Sequence, residues 1–178
     1  MWRIAFAKTS IRRVITTCDY IMTNVQNPEA PIYHPLVTAI FVLYAGPFGE
    51  NNGAGKISSK YSNFDSLEKR NLHHLIIHGR NKFYAHVDAG TKLYDVGGKK
   101  AIGHLFQLNI VLSDIEGETA AFATNIVEPR LTLETIPRIK SLSEELMKAL
   151  CNDEVLLLEK LVDCGYDFKP GKNTITLE

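Results

Sequence analysis

The feature that most constrains this chain is the recurrence of apolar residues at steps of three and four, in segments cut apart by proline and glycine. Ile11, Val14, Ile15, Cys18, Ile21, Met22 and Val25 fall on one stripe, which predicts an amphipathic helix from about residue 3 to 26. Asn27-Pro28-Glu29-Ala30-Pro31 breaks it. A second helix follows, with Leu36, Ala39, Ile40 and Leu43 on one face and apolar flanks from Val37 to Tyr44, so it is expected to be well buried; Gly46-Pro47 ends it. Residues 46–64 are rich in Gly, Asn and Ser and read as a long loop, a class often functional. A third helix starts near Asp65 or Ser66 and turns Leu67, Leu72, Leu75, Ile76, Gly79 and Phe83 inward.

The texture then changes. Phe106, Leu108, Ile110 and Leu112 alternate with Gln107, Asn109 and Val111, and Ala120, Phe122, Thr124 and Ile126 alternate again after Glu116-Gly117-Glu118. This period of two predicts a β-hairpin inserted over about 101–128, although 101–112 also admits a helix. Thr135 is placed to cap the next helix, with Pro137 in its first turn and Ile136, Ile139, Leu142, Leu146 and Leu150 as its inner stripe. A separate helix is expected around 153–163, carrying Leu156, Leu157, Leu158, Leu161 and Val162, before a tail over about 166–178 with a Pro170-Gly171 turn. The fold class is therefore mainly α, a single domain of four to five helices with a small inserted hairpin; 178 residues suffice for a sizeable core.

Composition narrows the function classes. No apolar run reaches the roughly 18 residues of a membrane span, so no membrane partner is expected. Cys18, Cys151 and Cys164 are odd in number and form no CxxC pair, which suits small core residues in a reducing cytoplasm. Net charge is zero but uneven: residues 1–100 hold 13 Lys/Arg against 7 Asp/Glu, and residues 101–178 hold 7 against 13. A basic part attracts phosphate backbones; equally, the two parts can attract each other.

One short word could carry chemistry: Arg80-Asn81-Lys82-Phe83-Tyr84-Ala85-His86, followed by Val87-Asp88. Cutting RNA at a 2′-OH needs a base, an acid and a cation on the scissile phosphate. Histidine titrates near neutrality, and arginine offers a permanent planar charge that fits a phosphate bidentately. No metal or cofactor is required. On an ideal helix Arg80 and His86 lie about 120° apart, so they converge only if the helix loosens or if two copies meet across a two-fold axis. The plainer alternative keeps Arg80 and Lys82 as solvated charges and His86 as a helix-end cation. Other patterns are weaker. His74 and His78 are four apart but lack a third ligand, so no metal site is expected. Gly49 to Lys56 fails the phosphate-loop pattern at Glu50 and Ile57.

The word resembles the signature of the HEPN-domain superfamily, in which an Arg and a His stand four to six residues apart on the third helix of a bundle; here five lie between. Tyr44-Ala45-Gly46-Pro47-Phe48, Asn51-Asn52-Gly53 and Leu72-His73 resemble a bacterial HEPN-like subgroup, so that the resemblance covers roughly residues 10–90. It implies a HEPN-like helical bundle that homodimerises through the motif helix. It further implies RNA as substrate or ligand, since many members are metal-independent endoribonucleases of toxin–antitoxin or antiphage systems. By this resemblance Arg80 and His86 are the catalytic pair. Asn81, Lys82, Tyr84, Asp88 and His73 are the substrate-binding or orienting residues, and an antitoxin or toxin is a possible protein partner. Two positions depart from the pattern: Gly46 stands where a basic residue is expected and Gly79 where a bulky apolar one is. The alternative implied is a non-catalytic HEPN-like interaction or regulatory module, antitoxin-like or nucleotide- and anion-binding, in which the motif serves dimerisation.

Overall fold

The computed structural model describes residues 1–49, 55–81 and 131–166, and the backbone of four short strands between them. The described part is mainly helical: α1 (Trp2–Asn24), α2 (Tyr33–Ala45), α3 (Leu67–Gly79) and α4 (Ile136–Asp163). Helix α1 packs along both α4 and α2, and α2 packs on α3, giving a helical bundle. Its core is one continuous apolar cluster, including Ile11, Val14, Ile21, Ile40, Phe41, Ile76, Ile139 and Leu146. Between α3 and α4 the backbone pairs antiparallel twice, β1 (Tyr94–Val96) with β2 (Lys99–Ala101) and β3 (Leu108–Ile115) with β4 (Glu118–Ile126). A register shift interrupts the second pair between Asn109 and Ile110.

The three-and-four periodicity locates α1 well: Ile11, Val14, Cys18, Ile21 and Val25 are buried, joined by Ala7 and Ser10, while Met22 is half exposed. In α2 the buried face is rotated from the expected one. Tyr33, Val37, Ile40, Phe41, Tyr44 and Ala45 are buried, whereas Leu36 and Leu43 only flank the core. The reason is tertiary: α2 is covered by both α1 and α3, so its larger aromatic side chains take the middle. The loop expected over 46–64 contains two 3-10 turns, Gly46–Phe48 and Ser59–Ser62, and contributes Pro47, Ile57, Tyr61 and Phe64 to the interior.

Helix α3 starts where Ser66 accepts a hydrogen bond from the Lys69 N–H at 3.2 Å, satisfying one of the first-turn donors. Leu72, Ile76 and Gly79 are buried, but Leu67, expected to face inward, is 65% exposed in the first turn.

Two expectations for the C-terminal helices are corrected. The helices expected before and after residue 152 are one, α4, 28 residues long. No proline or glycine lies between Pro137 and Gly165 to stop it. Thr135 occupies the N-cap position without capping: its hydroxyl bonds that of Thr132 at 2.9 Å. The stripe Ile136, Ile139, Leu142, Leu146 and Leu150 is buried as expected. The cysteines need a third correction. Cys18 is core, and burial pushes its thiol up to about 12, but Cys151 lies within α4 at intermediate burial and Cys164 is exposed at its end.

The uneven charge is partly folded onto itself. Lys8 pairs with Glu154, Lys60 with Asp153 and Lys69 with Glu145, each joining a cation of the first 100 residues to a carboxylate of α4. The buried Tyr33 hydroxyl donates to the Leu131 carbonyl and ties the start of α2 to the segment leading into α4. Among the described residues, no helix is long and apolar enough to cross a membrane.

Candidate functional site at the end of α3

Arg80 and Asn81 follow the last α-helical residue, Gly79, in a π-type turn that widens the helix. The Arg80 N–H still bonds the carbonyls of Ile76 and Ile77, so its backbone is held by the helix. Its side chain is half-buried, and Nη1 donates to Asn81 Oδ1 at 3.1 Å. That bond uses one of five guanidinium donors, and the fork has the geometry to hold an oxyanion. The 120° separation expected of Arg80 and His86 assumes an unbroken α-helix, whereas Arg80 and Asn81 themselves stand in a π-type turn. Lys82, Tyr84, His86 and Asp88 lie outside the described residues.

The position of Arg80 is set one residue earlier. A Cβ on Gly79 would run into the Phe41 ring, with Cδ1 at 2.9 Å and Cζ at 3.2 Å, so α3 meets α2 at a distance that only glycine permits. The bulky apolar residue expected in place of Gly79 would not fit here: Phe41 fills the space that its side chain would take. Gly46 has no such reason, since a Cβ there meets nothing within 4 Å.

His73 is 3% exposed, which makes it an interior group rather than one facing a ligand in solution. Its ring lies 4.7 Å from Phe48, 5.3 Å from Phe64 and 5.8 Å from Tyr44, centre to centre. Burial, with a smaller contribution from neighbouring His74, lowers its pKa to about 4. Burial also raises the pKa of the Tyr44 hydroxyl, 3.1 Å from His73 Nδ1. Both groups are therefore neutral at pH 7, and the hydroxyl and the ring nitrogen satisfy each other in one buried hydrogen bond. Tyr44 was not singled out from the sequence as a partner of this histidine; a tyrosine beside Gly-Pro carries no signal of what it will face.

His74 is exposed and His78 half-buried. Among the described residues, no three His, Cys, Asp or Glu side chains come together as metal ligands would. No protein-family profile, no curated protein and no solved structure matches the chain.

Proposed function

We propose that the chain is a HEPN-like RNA-binding protein whose site is the Arg80–His86 word at the end of α3, and that it cleaves RNA without a metal. The observation that carries this reading is the half-buried, helix-anchored Arg80, with its guanidinium steered by Asn81. A cation held in this way loses little side-chain entropy on gripping a phosphate. In the proposed reaction Arg80 binds the scissile phosphate and stabilises the charge that builds on it. His86 moves the proton as general base or acid, Asp88 orients His86, and Lys82 and Tyr84 contact the strand. The HEPN-like bundle carries its hairpin as an insertion over about 101–128. It homodimerises through the motif helix, so that two Arg–His pairs line one cleft. A cytoplasmic toxin–antitoxin or antiphage setting is the role this chemistry suits.

The test is incubation of the protein with a mixed RNA pool in EDTA, beside Arg80→Ala and His86→Ala. The proposal expects fragments ending in 2′,3′-cyclic phosphate from the wild type alone, with both variants folded and RNA binding reduced in Arg80→Ala. RNA binding without fragments would remove the cleavage step and keep the binding site. Absence of RNA binding by the folded wild type, with both variants losing the dimer in light scattering, would replace the proposal with the non-catalytic interaction module.

A further inference from the structure

The second half of α4 carries an apolar stripe distinct from the one that anchors its first half. Cys151, Val155, Leu158 and Val162 recur at steps of four, three and four, the a/d spacing of a two-helix seam. At ~100° per residue this stripe lies roughly 140° round the helix from Ile139, Leu142, Leu146 and Leu150, so it faces away from the bundle core. Val155 is 53% and Val162 54% exposed, and Cys151 and Leu158 are only half-buried. The stripe therefore contributes little to holding its own bundle together. One heptad before Val155 the same seam position holds Lys148, which is exposed and, among the described residues, in no ion pair. At the other end the exposed Asp163 closes the helix.

We propose that this stripe is an interface for a second copy of the chain, the two α4 helices packing antiparallel about a two-fold axis at the level of Leu156 and Leu157. The seam then closes in four layers: Cys151 meets the partner's Val162, Val155 meets the partner's Leu158, and the two-fold axis repeats both contacts. The charges at its ends commit the occupant to a second copy. In the same register Lys148 meets the partner's Asp163 and the C-terminal end of that helix, where the dipole favours a cation. Beside the seam, Glu159 meets the partner's Asn152 and no like charge. A parallel pairing in register would instead set Lys148 on the partner's Lys148, which repel. The stripe is thus complementary to itself in one orientation. Four layers make a short seam, below the ~800 Å² per partner of stable complexes, so the association is weak and concentration-dependent. It uses α4 and not the motif helix, and the inference is independent of the Arg80 reading.

The experiment combines a register-specific cross-link with sedimentation velocity, both on the full chain. In a Cys164→Ser background, Val162→Cys should be joined to the partner's Cys151 by a short bis-maleimide, giving a covalent dimer that further substitution Cys151→Ser abolishes. Arg80→Ala should leave this cross-link unchanged. Over about a hundredfold range of concentration the wild type should gain mass reversibly. Val155→Asp/Val162→Asp should weaken that association about tenfold or more, with the circular dichroism melt unchanged because both positions are exposed. Lys148→Glu should weaken it as well, and adding Asp163→Lys to Lys148→Glu should restore it, which a merely apolar contact would not do. The proposal is overturned if the wild-type mass does not change with concentration, or if Val155→Asp/Val162→Asp associates as the wild type does. It is also overturned if the covalent dimer fails to form, or forms equally without Cys151.

Discussion

Gly79 and His73 show how single residues of α3 are fixed by what α2 presents to them. The Phe41 ring occupies the place of a Gly79 side chain, so Gly79→Leu should destabilise the fold by about 1–3 kcal/mol through overpacking. Urea unfolding checks this, and Phe41→Ala in the Gly79→Leu background should recover part of the loss, as expected of residues in direct contact. His73 predicts a pH dependence. Its folded pKa, about 4, lies below the ordinary histidine value of 6.5, so below pH 6.5 the unfolded chain binds more protons than the folded one. Stability therefore rises with pH between about 4 and 6.5 and is lost as pH falls through that window, by up to roughly 3 kcal/mol from this group. Denaturant unfolding at pH 7 and pH 4.5 should show a drop that is smaller in His73→Phe. An equal drop in the variant would assign the effect elsewhere.

At the scale of elements, α4 is the one that differs most from its expected form. Its first half is anchored by Ile136, Ile139, Leu142, Leu146 and Leu150, and its second half continues as helix with no fully buried side chain. Propagation adds a hydrogen bond per residue once a helix is nucleated, so a buried first half suffices to extend an exposed second half. Asn152→Pro discriminates the one-helix arrangement from two helices. Two helices joined near 152 would accept the proline, whereas a continuous helix should lose about 3 kcal/mol or more and much of its last turns. Thermal unfolding and far-UV circular dichroism read both effects.

For the whole molecule, two kinds of contact hold the described bundle together, and their magnitudes decide which dominates. The ion pairs Lys60–Asp153 and Lys69–Glu145 are partly exposed, and such pairs contribute about 0–1 kcal/mol each. Core residues such as Ile40 and Ile139 are fully buried, and truncating one to alanine costs about 2–5 kcal/mol. Lys60→Met and Lys69→Met should therefore shift stability by no more than about 1 kcal/mol, while Ile40→Ala or Ile139→Ala should shift it several-fold more. Denaturant unfolding compares the four directly. Apolar burial thus supplies most of the stability, and the ion pairs between the two parts of the chain add little.

The sequence by itself determined where the first three helices lie and where the fourth begins, because a 3.6-residue period of apolar side chains with Pro and Gly breaks is a local property. It also placed Arg80 and Asn81 directly after the inward residues Leu72, Ile76 and Gly79 of the third helix. Tertiary structure decided the rest. Which face of α2 is buried followed from its being covered on two sides. The neutrality of His73 followed from its aromatic enclosure, and the pairing of Lys8, Lys60 and Lys69 with carboxylates of α4 followed from bringing together segments far apart in the chain. These are properties of non-local contact, and no window of sequence contains the partners that create them.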